Sequence, residues 1–525
     1  MKQLQPLSIV APGFFGLNTQ ESGVTLPPSF AQLTDNVVID KYGRLGARKG
    51  WVMQTEDGVD ELAGSPIRFM LEHVAADDSL TIISAGNSKV FSGGVGATLS
   101  DLTPAGYVIS DNDWVGANLN DLSLLTQDGH EPLVFTTDTG ATAPLQTLSD
   151  FMDNEKGVTA SPVFGSTYPK GVIAAWGRLW TFTKDAVYWS TDIADSAFPA
   201  FSGGSSGLLN IASVLPDNTD DIEAIAAHNN LLIIFCKHNI VIYSGADNPI
   251  SSAFGLQDII VGVGCIAHRS VQNTGNDLIF LADTGIRSLG RLIQEKSLPM
   301  RDLTKNVRDD FLKDVQAEFS NYDSLDHVSS VYSEVNAFYL ISFPSTQTVY
   351  CLDMRSSLED GSARVTVWYQ YNANSFLRLR NRGVLVGKTN GIGKYEGYSD
   401  NGSPYRLRYF SHYVDFESPT TIKILKKIGI TILGGSNQQF TIKVGVDYSD
   451  AYRSYPFIIQ TGSVSEYGVA EYGIGEYSKG VVLDKIKSSI GGAGSSIQIG
   501  FEADVNGTEL SVQKIDAFVK TGRID

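Results

Sequence analysis

The chain has 525 residues and a mean hydropathy of −0.04, so it can bury large cores. No stretch of it reaches the roughly 18 uninterrupted apolar residues that a membrane-crossing helix needs. Its 52 glycines, 25 phenylalanines and 22 tyrosines favour short strands joined by tight turns over helices. Lys and Arg number 40 against 58 Asp and Glu, a net charge of −18, which excludes the basic footprint of a protein that grips phosphates tightly.

Residues 1–55 read as an extended arm and a first hairpin. The run DNVVIDKYGRLGARKGW places a turn over Asp40–Gly43 between two short strands. The stretch 56–400 then repeats one pattern of strand, turn, strand, turn, strand. It is plainest at 171–190 (GVIAAWGRLWTFTKDAVYWS), 222–245 (IEAIAAHNNLLIIFCKHNIVIYSG) and 267–290. Looser copies occupy 67–93, 121–136, 328–353 and 376–397. The middle strands begin near Leu122, Leu179, Leu231, Leu278, Phe338 and Val384, in steps of 46 to 60 residues. Such units, with apolar middles, suit four-stranded blades wedged between neighbours, and the fold class is all-β, a propeller of six or seven blades. Tandem irregular β-sandwiches are the plainer alternative.

One helix interrupts the pattern. Over 303–319, Leu303, Val307, Phe311, Val315 and Phe319 recur at i, i+4, with Asp302 or Thr304 able to cap the start, so an amphipathic helix is expected between two blades. Beyond 400 the spacing changes. Strand-like runs at 405–416, 421–433, 439–448, 496–504 and 509–519 predict a second all-β domain over 401–525, sandwich-like. Between them lies a triplet, Glu466-Tyr467, Glu471-Tyr472 and Glu476-Tyr477, that reads as exposed strand ends with Tyr packed on a neighbour, against a sugar-stacking ladder.

The motifs that could carry chemistry fail on context. Gly383 to Thr389 is one residue short of a phosphate loop, and Asn390-Gly391 follows where a helix N-terminus should start, so it reads as a hairpin turn. Gly203-Gly204-Ser205-Ser206-Gly207 has the GxSxG form but lies in a Gly/Ser loop without the strand and helix of a nucleophile elbow. Thr136 to Thr142 resembles an Asp-box turn, a structural feature of propeller blades. The histidines (His73, His130, His228, His238, His268, His327 and His412) show no HxH or HxxxH spacing for a metal, and His228 and His238 are expected in solvent-facing turns. Asp220-Asp221 and Asp309-Asp310 read as solvated charge. Cys236, Cys265 and Cys351, an odd count without a CxxC, read as buried free thiols. No catalytic residue, metal ligand or cofactor is assigned. The first residues contain no apolar core of a secretory signal, so folding in a reducing cytoplasm is expected.

The opening APGFFGLNTQ with NVVIDKYGRLGARKGW, the run WGRLWTFTKDAVYWSTDIADSAFP, the blade AAHNNLLIIFCKHNIVIYSG, the following VGVGCIAHRSVQNTGNDLIFLADTGIRSL and LPMRDLTKNVRDDF together resemble the β-propeller tail nozzle proteins of short-tailed bacteriophages. These comprise tail tubular protein B and related packaged-DNA-stabilisation, or tail hub, proteins. The resemblance covers roughly 1–400; 405–525 matches less clearly. It implies a non-enzymatic virion protein, assembled in the host cytoplasm. It further implies a homo-hexameric ring at the end of the tail, below an adaptor ring and in reach of tail fibres. The ring's channel would retain double-stranded DNA and then pass it without tight binding. An acidic wall would repel phosphate during ejection, but the sequence does not say which residues line the channel. The rival expectations are a polysaccharide-active propeller enzyme, which needs two carboxylates about 5–10 Å apart beside aromatic platforms, and a receptor-binding tail protein acting through the C-terminal region.

Overall fold

Seven antiparallel sheets follow one another along the chain and close into a ring, a seven-bladed β-propeller. The computed structural model describes every residue except 1–4, 23–25, 57–60, 94–95, 97, 111–112, 138–140, 142, 157–163, 165–166, 195–198, 216–219, 295–301, 417, 450, 460–482, 489–490 and 525. The blades span 69–101, 115–147, 171–210, 222–261, 272–288, 329–369 and 375–394, numbered one to seven here. Each repeat seen in the sequence falls in a different blade. In blades one to six the strands run outward from the axis in chain order, and the first strands of successive blades lie side by side around it.

The apolar middles have the expected cause. The second strands of blades two, three, five and six (Leu122–Thr126, Arg178–Phe182, Leu278–Ala282 and Phe338–Phe343) are buried along their whole length, because each lies between two neighbouring sheets. The first turns are written in pairs of residues with positive φ: Asn120-Asp121 (50° and 63°), Asn229-Asn230 (47° and 63°) and Trp176-Gly177 (50° and 68°). Two successive left-handed residues make the turn whose twist matches a tight hairpin, and Asn, Asp and Gly tolerate that conformation best. Among the described residues, blade five has three strands. Segment 302–304 takes the place of the fourth: the Leu303 N–H donates to the Ile286 carbonyl, and its own carbonyl accepts from Ala363 of the next blade.

The arm does not stay separate from the rest. Strand Val52–Glu56 pairs antiparallel with Gly391–Lys394 and is the outermost strand of blade seven, so the ring is closed by hydrogen bonds between distant parts of the chain. The expected division at 55/56 therefore falls inside a strand. The arm's earlier strands leave the propeller and join the C-terminal region. Gln5–Val10, Val37–Ile39 and Leu45–Ala47 enter a seven-stranded sheet with Thr421–Gly434 and Leu510–Ile524; Gly16–Leu17 and Phe30–Asp35 enter a six-stranded sheet with Tyr405–Ser411 and Ile497–Val505. The two sheets share one core that includes Phe14, Ile430, Phe440, Phe501 and Val512, a β-sandwich. An isolated arm could not bury Phe14 and Ile39, whereas the open edges of the C-terminal strands can cover them.

Three helices are described: α1 (Leu148–Lys156), α2 (Leu289–Gln294) and α3 (Arg308–Tyr322). The expected single helix is α3, starting later than its apolar period suggested. Leu303, Val307, Phe311 and Val315 enter the core between blades five and six, where Phe311 meets Phe343 and Tyr350 edge-on at 5.3 and 4.9 Å. Phe319, by contrast, is 51% exposed, because the last helical turns run past the edge of that core. Asp302 caps no helix; its Oδ1 accepts from the Thr304 N–H and hydroxyl in the preceding turn. No helix among the described residues is long and apolar enough to cross a membrane.

Candidate functional site

One end of the propeller axis collects charge from six blades. Arg68, Asp113 and Lys170 stand just before the first strands of blades one, two and three, and Glu223 is the second residue of blade four's. His268 and Arg269 precede blade five, and Asp326 and His327 precede blade six. Because each residue holds the same place in its own repeat, ring closure brings all of them to one mouth.

There they form a paired network. Lys170 Nζ lies 2.7 Å from Glu223 Oε2 and 3.9 Å from Asp326 Oδ1, and Asp326 Oδ1 lies 3.3 Å from His268 Nδ1. Arg269 faces Asp113 at 3.4 Å and donates to the Arg68 carbonyl at 2.6 Å. It also donates to the Asp326 carbonyl at 3.4 Å. His327 Nδ1 is 3.3 Å from Asp113 Oδ2, and its ring stacks on Tyr322, the last residue of α3, at 3.9 Å and 11°. Arg68 donates to the Tyr322 hydroxyl at 3.3 Å. Blade seven joins through the Phe376 N–H, which donates to Ser329 Oγ, and Ser375 Oγ, which donates to the Ile67 carbonyl.

Burial would discharge these groups if they stood alone. Burial raises the Asp326 carboxyl, but His268 and Lys170 outweigh it and hold the group well below the usual carboxylate range. Burial likewise works against the Lys170 ammonium, and Asp326 and Glu223 keep it above its ordinary value. The His268 imidazole is pulled below its ordinary value by burial, against the attraction of Asp326. Glu223 and Asp326 are thus two acids bridged by one lysine. Asp326, held ionised, is unsuited to act as the proton-donating acid of glycoside cleavage.

The motifs singled out in the sequence are spread elsewhere. Lys388, from the shortened phosphate loop, ends strand Val384–Lys388; its ammonium donates to the Tyr371 carbonyl and lies over the rings of Trp51 and Tyr371 at 4.7 and 4.0 Å. Ser205 accepts from Arg178 at 2.9 Å and from the Asp192 N–H at 3.2 Å, so the GxSxG serine is a buried loop tie. Asp138 of the Asp-box-like turn and the Glu-Tyr triplet lie outside the described residues. His238 is exposed and His228 half-buried. Asp220 and Asp221 are not simply solvated: Asp220 accepts from the His238 N–H and the Asn239 amide, and Asp221 pairs with Lys237 at 3.2 Å. Asp310 pairs with Lys313 on α3. Cys236, Cys265 and Cys351 are buried free thiols, with burial pushing Cys236 and Cys265 up to about 12. Among the described residues, no group of three or more His, Cys, Asp or Glu is placed to hold a metal ion.

Of the axial residues, the sequence reading named only His268 and His327, and those only as histidines without metal-binding spacing. The signal was available in phase: a charged or His residue sits at or just before the first strand of six of the repeats.

No family model and no curated protein sequence matches this chain. Among solved structures it is similar to one described as "YCF48 bound to D1 peptide", at 12% identity and a TM-score of 0.39 over 66% of this chain and 97% of that one. It is also similar to the extracellular domain of the putative one-component system BT4673 from B. thetaiotaomicron, at 10% identity and a TM-score of 0.31 over 87% of this chain and 48% of that one. The AfRom2 CNH domain matches at 7% identity and a TM-score of 0.35, over 63% and 94%. Similarity at this level carries no argument about what the chain does.

Proposed function

We propose that this chain is a structural subunit of a bacteriophage tail, a nozzle or hub protein. Its copies form a ring-shaped conduit that retains the genome and passes it at ejection, without catalytic activity of its own. The reading joins the sequence resemblance over 1–400 to one structural observation, which carries it: paired charges tie the blades to one another around the propeller's axial mouth. A propeller whose blades are tied to one another by such a network is braced, and so suited to bearing load in a ring. The conduit is then the space enclosed by several copies, with an adaptor ring above and tail fibres within reach.

Charge distribution supports the same reading. Residues 51–400 hold 22 Lys and Arg against 42 Asp and Glu, whereas 1–50 and 401–525 together hold 18 against 16. The acidity belongs to the propeller, and an acidic wall gives passing DNA nothing to adhere to.

The test is electron microscopy of phage particles labelled with an antibody to this chain, with averaging of the labelled tails. A labelled ring around the tail axis is the expected result. Label on peripheral fibres would favour a receptor-binding role, and cleavage of host capsule by the purified protein would favour the polysaccharide-active reading; either outcome would overturn the conduit.

A further inference from the structure

The outer rim of the propeller is uneven. Blade one ends in a two-residue strand, blade two in a three-residue strand, and blade six's fourth strand, Arg364–Tyr369, is covered by the sandwich. Blades three and four differ. Their fourth strands, Gly207–Asn210 (GLLN) and Gly255–Val261 (GLQDIIV), contain neither Lys nor Pro, the residues that usually blunt a sheet edge. They leave Leu208 58%, Leu256 48% and Val261 69% exposed, and Ile250 in the adjoining loop is 61% exposed. Asp247 beside Ile250 is exposed and Asp258 on the strand is half-buried, while Lys237, two residues before the ladder partner of Val261, is already paired with Asp221 and Glu223. In a seven-membered ring, blade three stands opposite the border of blades six and seven, where the sandwich is seated.

The outward face of the sandwich's seven-stranded sheet has the complementary make-up. Register pairs Ile424 with Lys520, Lys427 with Phe518, Thr431 with Lys514 and Val10 with Lys514, and Lys426 occupies a bulge beside them. Lys426 and Lys520 are exposed, and Val10 is 42% exposed. The one acid in this set of rows, Asp516, is buried and taken up by Ser8 at 2.6 Å and Lys514 at 2.9 Å. This face is apolar with lysines, and the rim is apolar with aspartates.

We infer that the two surfaces are halves of one contact, in which the lysine-bearing sandwich face of one copy docks on the rim of blades three and four of the next. Because the halves lie on opposite sides of the molecule, the contact is head-to-tail and repeats from copy to copy, closing into a ring when the rotation permits. The proposal deepens the ring reading above and rests on it only for closure. Apolar side chains supply the buried area, and the opposite charges fix partner and register.

The test measures self-association of the full chain by sedimentation and native mass spectrometry, at tens of micromolar and low salt. Wild-type protein should assemble beyond a dimer and loosen as salt rises. Lys426→Glu with Lys427→Glu and Lys520→Glu should weaken assembly by about tenfold or more, as should Asp247→Lys with Asp258→Lys. Both sets together in one chain should restore it, since every contact then pairs reversed charges. Neutral Gln replacements of the three lysines, which leave the strand pattern intact, should give an intermediate loss, and all variants should keep the wild-type melting temperature. A monomeric wild type would overturn both this contact and the ring. Assembly unchanged in both reversed sets would overturn this contact alone, and loss in each set without rescue would show that the two surfaces do not meet each other.

Discussion

Arg48 donates its two terminal nitrogens to Asp400, at 2.8 and 2.7 Å, across 352 residues of sequence. The pair joins the sandwich, where Arg48 follows strand Leu45–Ala47, to the end of blade seven. The Arg48 Nε donates to Asn36 Oδ1 at 2.7 Å, and the guanidinium lies between the rings of Tyr371 and Tyr405 at 4.5 and 4.0 Å. Burial opposes its charge, but Asp400 outweighs burial and holds Arg48 above its ordinary value. With Arg48 1% exposed, removing one partner strands the other charge. Asp400→Ala should therefore cost about 3–5 kcal/mol. Thermal unfolding should show it as a lower transition, with the sandwich and propeller melting apart; a melt within error of wild type would count against the junction.

Lys388 meets the opposite situation. It is 5% exposed, has a backbone carbonyl and two aromatic faces for partners, and desolvation lowers its ammonium to about 7. Its folded value lies below the unfolded one of about 10.4, so between those values the unfolded chain binds more protons. Stability from this group should rise as pH goes from about 7 to 10. Lys388→Met keeps the length and removes the charge, and should stabilise at neutral pH by on the order of 1–4 kcal/mol while flattening that rise. Denaturant midpoints at pH 7 and 9.5 check both statements.

The blade hairpins could be read from the sequence because their causes are local. Asn229-Asn230 announces a tight turn, and LLIIFC and FYLISF have room only between two sheets. The partners of the arm could not be read in this way. Ser8 meets Asp516, and Val52 meets Lys394, through backbone pairings that any extended strand could make. The axial network was hidden for another reason: Lys170, Glu223, Arg269 and Asp326 form no motif, and only the ring brings them together. Phe319 misled because an i, i+4 period continues past the end of the surface that it packs on.

Gly391 tests the ring closure. Its φ is 149°, and a methyl group there would collide with the Thr55 carbonyl oxygen on the closing strand. Gly391→Ala thus combines backbone strain with overpacking, together at least about 2 kcal/mol. The damage should concentrate at blade seven. Limited proteolysis is expected to cut the variant near residues 50–60 faster than wild type; equal rates would mean that Val52–Glu56 does not hold the ring shut.

Acid should loosen the axial network. Burial depresses His268, His73 and His412, so each binds its proton more readily in the unfolded chain, whose histidines titrate near 6.5. Stability from a depressed base is complete above that value and is lost as pH falls below it, by up to about 1.4 kcal/mol per pH unit for each histidine. Asp326, held low in the folded state, contributes stability above the ordinary carboxylate value of about 3.9 and loses it only at lower pH. Between pH 7 and 5 the histidines therefore act first. The melting temperature should fall over that range, and His268→Gln, which cannot take a proton, should fall less steeply. An identical slope in the variant would show that protonation of His268 does not open the axial mouth.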